Sequence, residues 1–101
     1  MARGVYARRV DSNQNEIVAL MRDLGASVLI LSAVGKGCPD ILAGIRGRNI
    51  LIEIKDGNKP PSARKLTEDE KRFHDEWNGQ VCVIKDVTEA IALINRLNFD
   101  K

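Results

Sequence analysis

The sequence predicts an α/β domain in which helices flank a mixed β-sheet, in the order αβββαβα. Two kinds of segment support this fold class: segments with an apolar helical repeat or a capping pattern, and short segments rich in aliphatic residues. Three segments of the second kind follow the first helix, and one more lies between the last two helices. The 101 residues, with a net charge of +2, are expected to form one domain, 1–101, that includes a basic N-terminal arm at 1–10.

Three segments are predicted to be helices. The first, 11–25, ends at Gly25, a usual C-terminal stop. The second, 67–79, begins with the capping-box residues Thr67 and Glu70. The third is 86–97. The expected buried faces are Ile17, Leu20, Met21 and Leu24 on the first helix, and Val87, Ala90, Ile91, Ile94 and Leu97 on the last.

Four segments are predicted to be strands: 27–33, 40–46, 49–55 and 80–85. Gly47 and Arg48 separate the second from the third, and glycine at the first central position suits a two-residue hairpin turn. We therefore expect these two strands to be antiparallel. In that register Asp40 lies opposite Lys55.

Three charged residues, Asp40, Glu53 and Lys55, interrupt this aliphatic hairpin. Because side chains alternate along a strand, the three are predicted to share one face, while the intervening isoleucines take the other. The two carboxylates would be diagonal neighbours, with Cα atoms about 7–8 Å apart, and could converge on one hard cation such as Mg²⁺. Lys55 would then stabilise negative charge on a phosphate undergoing hydrolysis.

A simpler interpretation is that the charges form the solvated face of an edge hairpin, with Lys55 paired to Asp40 across the strands. The spacing alone does not separate the two interpretations.

The motif Pro39-Asp40 followed by Glu53-Ile54-Lys55 resembles that of the PD-(D/E)xK nuclease superfamily. Over nearly its whole length, from "NQNEIVALMRDLGASV" to the closing helix, the chain is most similar to stand-alone VRR-Nuc (virus-type replication-repair nuclease) domains. The resemblance implies a restriction-endonuclease-like core. It also implies that Asp40 and Glu53 bind Mg²⁺ or Mn²⁺, that the Ile54 carbonyl is a further ligand, and that Lys55 is catalytic.

Three further residues have competing interpretations. In related resolvases an acid of the first helix joins the catalytic and metal site, and the matching position is Glu16; alternatively, Glu16 forms a capping box with Asn13. VRR-Nuc relatives often have glutamine where this chain has Glu70. The alternative is that Glu70 is a capping residue, paired with Thr67 in a capping box. His74 is expected to be a surface or packing residue rather than a general base.

Basic residues cluster in the arm and in the predicted loops, where they are candidates to hold a DNA backbone. Taken singly, each could equally be a solvated surface residue. The candidates are Arg3, Arg8, Arg9, Lys36, Arg46, Arg48, Lys59, Arg64 and Lys65.

The resemblance implies a metal-dependent endonuclease acting on branched DNA, as a homodimeric Holliday junction resolvase of phage type. The alternatives are a non-catalytic DNA-binding module, or a nuclease for nicks, flaps or single strands. The apolar face of Phe73 and Trp77 would serve the dimer interface or belong to the core. We expect a cytoplasmic protein, because the sequence contains no membrane-length apolar run and no signal-peptide pattern. We expect no organic cofactor.

Overall fold

The computed structural model describes residues 12–99, with side chains through residue 97. The predicted arm, including Arg3, Arg8 and Arg9, lies outside these residues. The elements follow the predicted order αβββαβα, with a short 3₁₀ helix, Pro61–Arg64, between β3 and α2. They are α1 Gln14–Asp23, β1 Ser27–Ile30, β2 Ile41–Ile45, β3 Arg48–Ile54, α2 Glu68–Glu76, β4 Val81–Ile84 and α3 Val87–Phe99.

The four strands form one mixed sheet in the order β1-β2-β3-β4. β1, β2 and β3 are antiparallel neighbours, whereas β4 runs parallel to β3. β3 is therefore an internal strand. Within residues 12–99, no helix combines the length and apolar character needed to cross a membrane.

The hydrophobic core lies between one face of the sheet and the helices α1 and α3. Ile50, Ile52 and Ile54 alternate along β3 on this face, as predicted, and all three are buried. They pack with the side chains of β2 that point the same way and with the apolar faces of both helices. The opposite face of β3 carries Glu53 and Lys55.

The predicted helix faces were correct except at their margins. Leu24 is 45% exposed at the end of α1, and the buried face of that helix instead includes Gln14 and Val18. On α3, Ile91 is exposed and Leu93 is buried in its place. In both helices the buried face is rotated slightly from the predicted one. The face of a helix that packs on the core is wider than one row of side chains, so the apolar pattern does not fix its margins.

The predicted hairpin turn was wrong by one residue. The turn is centred on Arg46 and Gly47, whose φ angles are 51° and 81°. Positive φ at both central residues defines the hairpin turn that matches the right-handed twist of the strands. The paired residue numbers therefore sum to 93 rather than 95, so that Leu42 pairs with Leu51 and not with Glu53. The shift of two leaves every side chain on its predicted face.

The loop before β2 packs against the start of α2 through Gly37. A Cβ atom on Gly37 would lie 2.3 Å from the backbone oxygen of Asp69 and 2.8 Å from the nitrogen of Glu70. The φ of Gly37 is 79°, a conformation that side chains other than glycine rarely adopt. The glycine thus allows two backbone segments to touch, and it fixes α2 relative to Asp40.

Replacing Gly37 by Ala should destabilise the protein more than replacing Gly35 by Ala. Both glycines have a φ of 79°, so both substitutions carry the left-handed penalty of about 1–2 kcal/mol. At Gly35 no atom of the described residues lies within 4 Å of the added Cβ, whereas Gly37 meets the α2 backbone, which adds about 1–3 kcal/mol. Urea denaturation of both variants measures the difference, and equal losses would show that the loop does not fix α2.

Candidate active site

Asp40 and Glu53 are buried side by side. Asp40 immediately precedes β2, and extending the β2–β3 register by one residue places it directly opposite Glu53. The pair is of the closer, non-hydrogen-bonded type, for which Cα atoms are typically about 4.5 Å apart. The side chains are only 4% and 2% exposed. The interpretation of these acids as the solvated face of an edge hairpin is therefore wrong, since they are buried and β3 is internal.

A backbone hydrogen bond fixes the Asp40 carboxylate. The N–H of Ile54 donates to Asp40 Oδ2 at 2.7 Å. The register would place Ile54 opposite Pro39, which lies before the start of β2. The N–H of Ile54 therefore has no strand residue opposite it and donates to the carboxylate instead. The first acid of the motif is thereby tied to the strand that carries the second, with the Ile54 backbone beside it.

Lys55 extends from the same face of β3 toward α2. Its Nζ lies 2.8 Å from Glu70 Oε1 and 3.6 Å from Glu53 Oε2. The side chain is only 12% exposed, so its ammonium is held in a fixed position at the edge of the carboxylate pair. The predicted grouping of Asp40, Glu53 and Lys55 on one face is what the structure shows.

Glu70 has two roles that share one oxygen atom. It forms the predicted capping box, since Thr67 Oγ1 accepts from the N–H of Glu70 at 3.2 Å and Glu70 Oε1 accepts from the N–H of Thr67 at 2.9 Å. The same Oε1 also accepts from Lys55. Burial opposes ionisation of Glu70, but its hydrogen bonds to Lys55 and Thr67 outweigh this effect and lower its pKa. The cap of α2 thus orients the lysine.

Glu53 lacks compensation for its charge. Burial first, and then the neighbouring carboxylates of Asp40 and Glu70, raise the pKa of Glu53 to about 9 despite the attraction of Lys55. Its Oε1 is buried and has no hydrogen-bond partner among residues 12–99. A hard divalent cation between the two carboxylates would supply both the missing charge and the missing partner, so these residues fit such an ion.

The structure does not bring Glu16 to this pair. Glu16 is exposed and lines a separate cavity with Asp56, Lys85 and Asp86. The alternative capping role fails as well, because the Asn13 side chain makes no cap hydrogen bond. Within the described part of the chain, no group of three or more His, Cys, Asp or Glu residues is arranged to hold a metal ion.

The buried polar residue of α1 is Gln14, which the sequence analysis missed. Its Nε2 donates to Ser32 Oγ at 3.3 Å, and its buried Oε1 has no partner among the described residues. Ser32 follows Leu31, whose N–H donates to the Asp40 carbonyl at 2.8 Å. Gln14 therefore reaches the segment next to Asp40. Asn13, beside it, donates to the carbonyls of Lys55 and Lys85 and ties together the ends of β3 and β4.

The candidate DNA-binding residues fall into two groups. Lys36 lies in the loop before Asp40, and Lys59, Arg64 and Lys65 follow β3, so these four are at the same end of the sheet as the acids. Arg46 and Arg48 are at the hairpin turn, about 16–20 Å away at the usual rise along a strand. Arg46 and Arg48 thus lie apart from the acidic pair, at the opposite end of the hairpin.

His74 lies one turn beyond Glu70 on α2, half-buried. Burial lowers its pKa, while the nearby Glu70 and Lys55 act in opposite directions on it. Its Nε2 is enclosed and has no partner in the described residues. Because Glu70, one turn before His74, contacts Lys55, this face of α2 borders the site.

Comparison with known proteins gives one informative similarity. No family model matches the sequence, and no curated protein matches it. A solved structure described as a "VRR_NUC domain" is similar with probability 1.00 and a TM-score of 0.55, at 29% sequence identity over 81% of this chain and 89% of that chain. The chain has a VRR-Nuc-like fold. The VRR-Nuc-like order of elements, derived first from sequence patterns, is thus confirmed by structure.

Replacing Glu53 by Gln should stabilise the protein in EDTA. Between the ordinary pKa of 4.5 and the raised value of about 9, folded Glu53 holds a proton that the unfolded chain has released, so stability falls as pH rises through this window. At pH 8 the neutral amide removes this penalty, and we expect a gain of about 1–3 kcal/mol by urea denaturation. Glu16→Gln, at an exposed carboxylate, is the control and should change little. No gain in Glu53→Gln would contradict an uncompensated buried charge.

Replacing Glu70 by Ala should cost about 1–3 kcal/mol, because it removes half of the capping box and the partner of Lys55. Glu70→Gln should cost less than about 1 kcal/mol, since an amide oxygen can still accept from Thr67 and Lys55. Denaturation midpoints for the two variants test whether Glu70 stabilises the protein through the hydrogen bonds that its Oε1 accepts from Thr67 and Lys55 or through its charge. Equal losses would argue against it.

Proposed function

We propose that this protein is a divalent-metal-dependent nuclease that hydrolyses phosphodiester bonds in DNA through a PD-(D/E)xK-type site. The observation that carries the proposal is the buried pair Asp40 and Glu53, in which Glu53 Oε1 has no partner among residues 12–99 and Lys55 is held beside Glu53. A buried carboxylate pair in which the pKa of Glu53 is raised is a costly arrangement that structural needs do not explain. The similarity to a VRR_NUC domain supports the same conclusion.

Asp40 and Glu53 are the proposed ligands of Mg²⁺ or Mn²⁺, with the backbone carbonyl of Ile54 as a third. Mg²⁺ needs only one or two protein carboxylates and keeps several waters, so a site without a third acidic residue suffices. When bound, such an ion would supply the positive charge that polarises a phosphate and lowers the pKa of a bound water. Glu16 is left out of this ligand set because of its position.

Lys55 is proposed to orient the attacking water and to stabilise the negative charge that develops on the phosphate. Its role is electrostatic, since an ammonium bonded to Glu70 and 3.6 Å from Glu53 Oε2 places a positive charge beside the carboxylate pair. Glu70 acts through Lys55 and is a positioning residue. A fixed ammonium needs no rearrangement during the reaction, which is the condition under which such a charge contributes most.

The backbone of the DNA is proposed to lie along the basic residues at this end of the sheet, Lys36, Lys59, Arg64 and Lys65. Arg3, Arg8 and Arg9 are proposed to extend this contact. Arg46 and Arg48, at the far end of the hairpin, could meet only a duplex that runs along the sheet.

Among DNA structures, we favour branched DNA, and specifically a four-way junction cut by a homodimer. The support is the sequence motif's resemblance to stand-alone VRR-Nuc domains, which implies a homodimeric resolvase of phage type. A two-fold dimer would match paired cuts in a junction of the same symmetry.

Cleavage assays on labelled four-way junction, flap, nicked and linear duplex DNA test the proposal. The wild-type protein should cut with Mg²⁺ or Mn²⁺ and not with EDTA. Lys55→Ala should lose about 100-fold or more in rate, because it removes a preorganised charge. Lys71→Ala is the matched control, since Lys71 pairs with Asp75 on the exposed side of α2, and it should cut normally.

Asp40→Ala and Glu53→Ala should abolish cleavage but bind DNA in calcium. If the wild-type protein binds DNA tightly yet cuts none of these substrates, the chain is a non-catalytic DNA-binding module instead. Cleavage confined to flaps or nicks would keep the nuclease and exclude the junction.

A further inference from the structure

Trp77 is the single tryptophan of the protein and caps the end of α2. Its side chain is 46% exposed, and its ring stacks on Phe73 with centroids 5.2 Å apart and planes 15° apart. The stack does not belong to the hydrophobic core, which α1, α3 and the sheet form. An aromatic pair left partly in water indicates a surface that binds something flat and apolar.

The indole is held in place by its own neighbours. The backbone N–H of Trp77 donates to the carbonyl of Phe73 at 3.0 Å, which fixes the chain at this residue. The indole itself stacks on the Phe73 ring, and a Cβ atom on Gly79 would lie 2.9 Å from its Nε1. The ring therefore lies against the glycine backbone on one side and close to Phe73. A preorganised ring loses little entropy when a ligand stacks on it.

The stack lies on the helix face that borders the candidate active site. Glu70, Phe73 and Trp77 are spaced by three and four residues, which places them on one face of α2. Glu70 is bonded to Lys55 at the site. The helical rise from Glu70 to Trp77 is about 10 Å, which equals roughly three base steps of a duplex.

The surroundings suit a nucleobase better than a protein. On α2, Lys71 pairs with Asp75 and Arg72 with Asp69, and Glu70, on the face of the stack, pairs with Lys55. Among the described residues, the other exposed large apolar side chains lie outside α2: Leu24, Leu29, Ile30, Val34, Val83 and Ile91. A protein interface buries a contiguous patch with an apolar centre, whereas one base needs a single ring.

We propose that the Phe73–Trp77 stack is a platform for an unpaired base of the DNA substrate, close to the bond that is cut. This inference rests on the nuclease function proposed above. In an intact duplex both faces of a base are covered by its neighbours, so the platform is accessible only to a nucleotide exposed at a flap, a gap or a branch point. Trp77 would therefore select DNA with an unpaired nucleotide, without selecting its sequence.

Intrinsic fluorescence gives a direct measurement, because Trp77 is the only tryptophan. In calcium, a 5′-flap duplex and single-stranded oligothymidylate should quench this fluorescence as they bind. A blunt duplex of equal length should bind without comparable quenching. Anisotropy of labelled DNA supplies the affinities independently.

Trp77→Ala should lower the affinity for flap DNA by roughly 5- to 150-fold and leave blunt-duplex affinity within about 2-fold. Trp77→Phe keeps an aromatic ring, so it should retain most of the selectivity and also guards against misfolding of the alanine variant. Leu24→Ala is the matched control, because Leu24 is similarly exposed at the far end of α1. It should not alter either affinity.

Binding of flap DNA without quenching, or equal losses on flap and duplex in Trp77→Ala, would overturn the platform while leaving the nuclease intact. A change of oligomeric state in Trp77→Ala with unchanged selectivity would overturn it in favour of a contact between copies. Selective quenching by a protein that cuts no DNA would support the platform and reject the nuclease. Lack of binding to any DNA would reject both.

Discussion

The burial of two like charges side by side is the constraint on which the site depends. Asp40 and Glu53 face each other across β2 and β3, where both are buried, and burial together with the neighbouring Asp40 raises the pKa of Glu53. The surrounding polar groups offset part of this cost: Ile54 donates to Asp40, and Lys55 stands beside Glu53. One oxygen of Glu53 still has no partner among residues 12–99. A cation between the two carboxylates would supply both the missing partner and the missing positive charge.

The position of Glu70 beside Lys55 depends on backbone packing and a helix cap, two contacts that also stabilise the fold. Gly37 lets the loop before Asp40 touch the backbone of α2, and the capping box at Thr67 fixes the start of that helix. Together they place Glu70 where its oxygen reaches both the helix N-terminus and Lys55. Because one oxygen carries both hydrogen bonds, helix stability and lysine orientation are linked. A defect in the cap would therefore also be a defect in the site.

The sequence predicted the parts of this arrangement that follow from periodicity. Alternation along β3 separates Glu53 and Lys55 from the core isoleucines, whatever the turn. Gln14 could have been found by the same argument, since Gln14, Ile17, Val18 and Met21 follow the spacing of one helix face, which excludes Glu16. The contact between Glu70 and Lys55 could not, because it joins elements 15 residues apart through a turn that periodicity does not describe.

Placing the two acids on one face of the sheet does not by itself bring them together. Their separation also depends on the hairpin turn at the other end of the strands. With the turn at Gly47 and Arg48, the acids would have been diagonal, about 7–8 Å apart at Cα. Positive φ at Arg46 and Gly47 moves the register by two and sets Asp40 directly opposite Glu53. The same shift leaves the Ile54 N–H without a strand partner, so that it can hold the Asp40 carboxylate. The separation of the two acids is thus fixed by backbone geometry about 20 Å away, at the other end of the hairpin.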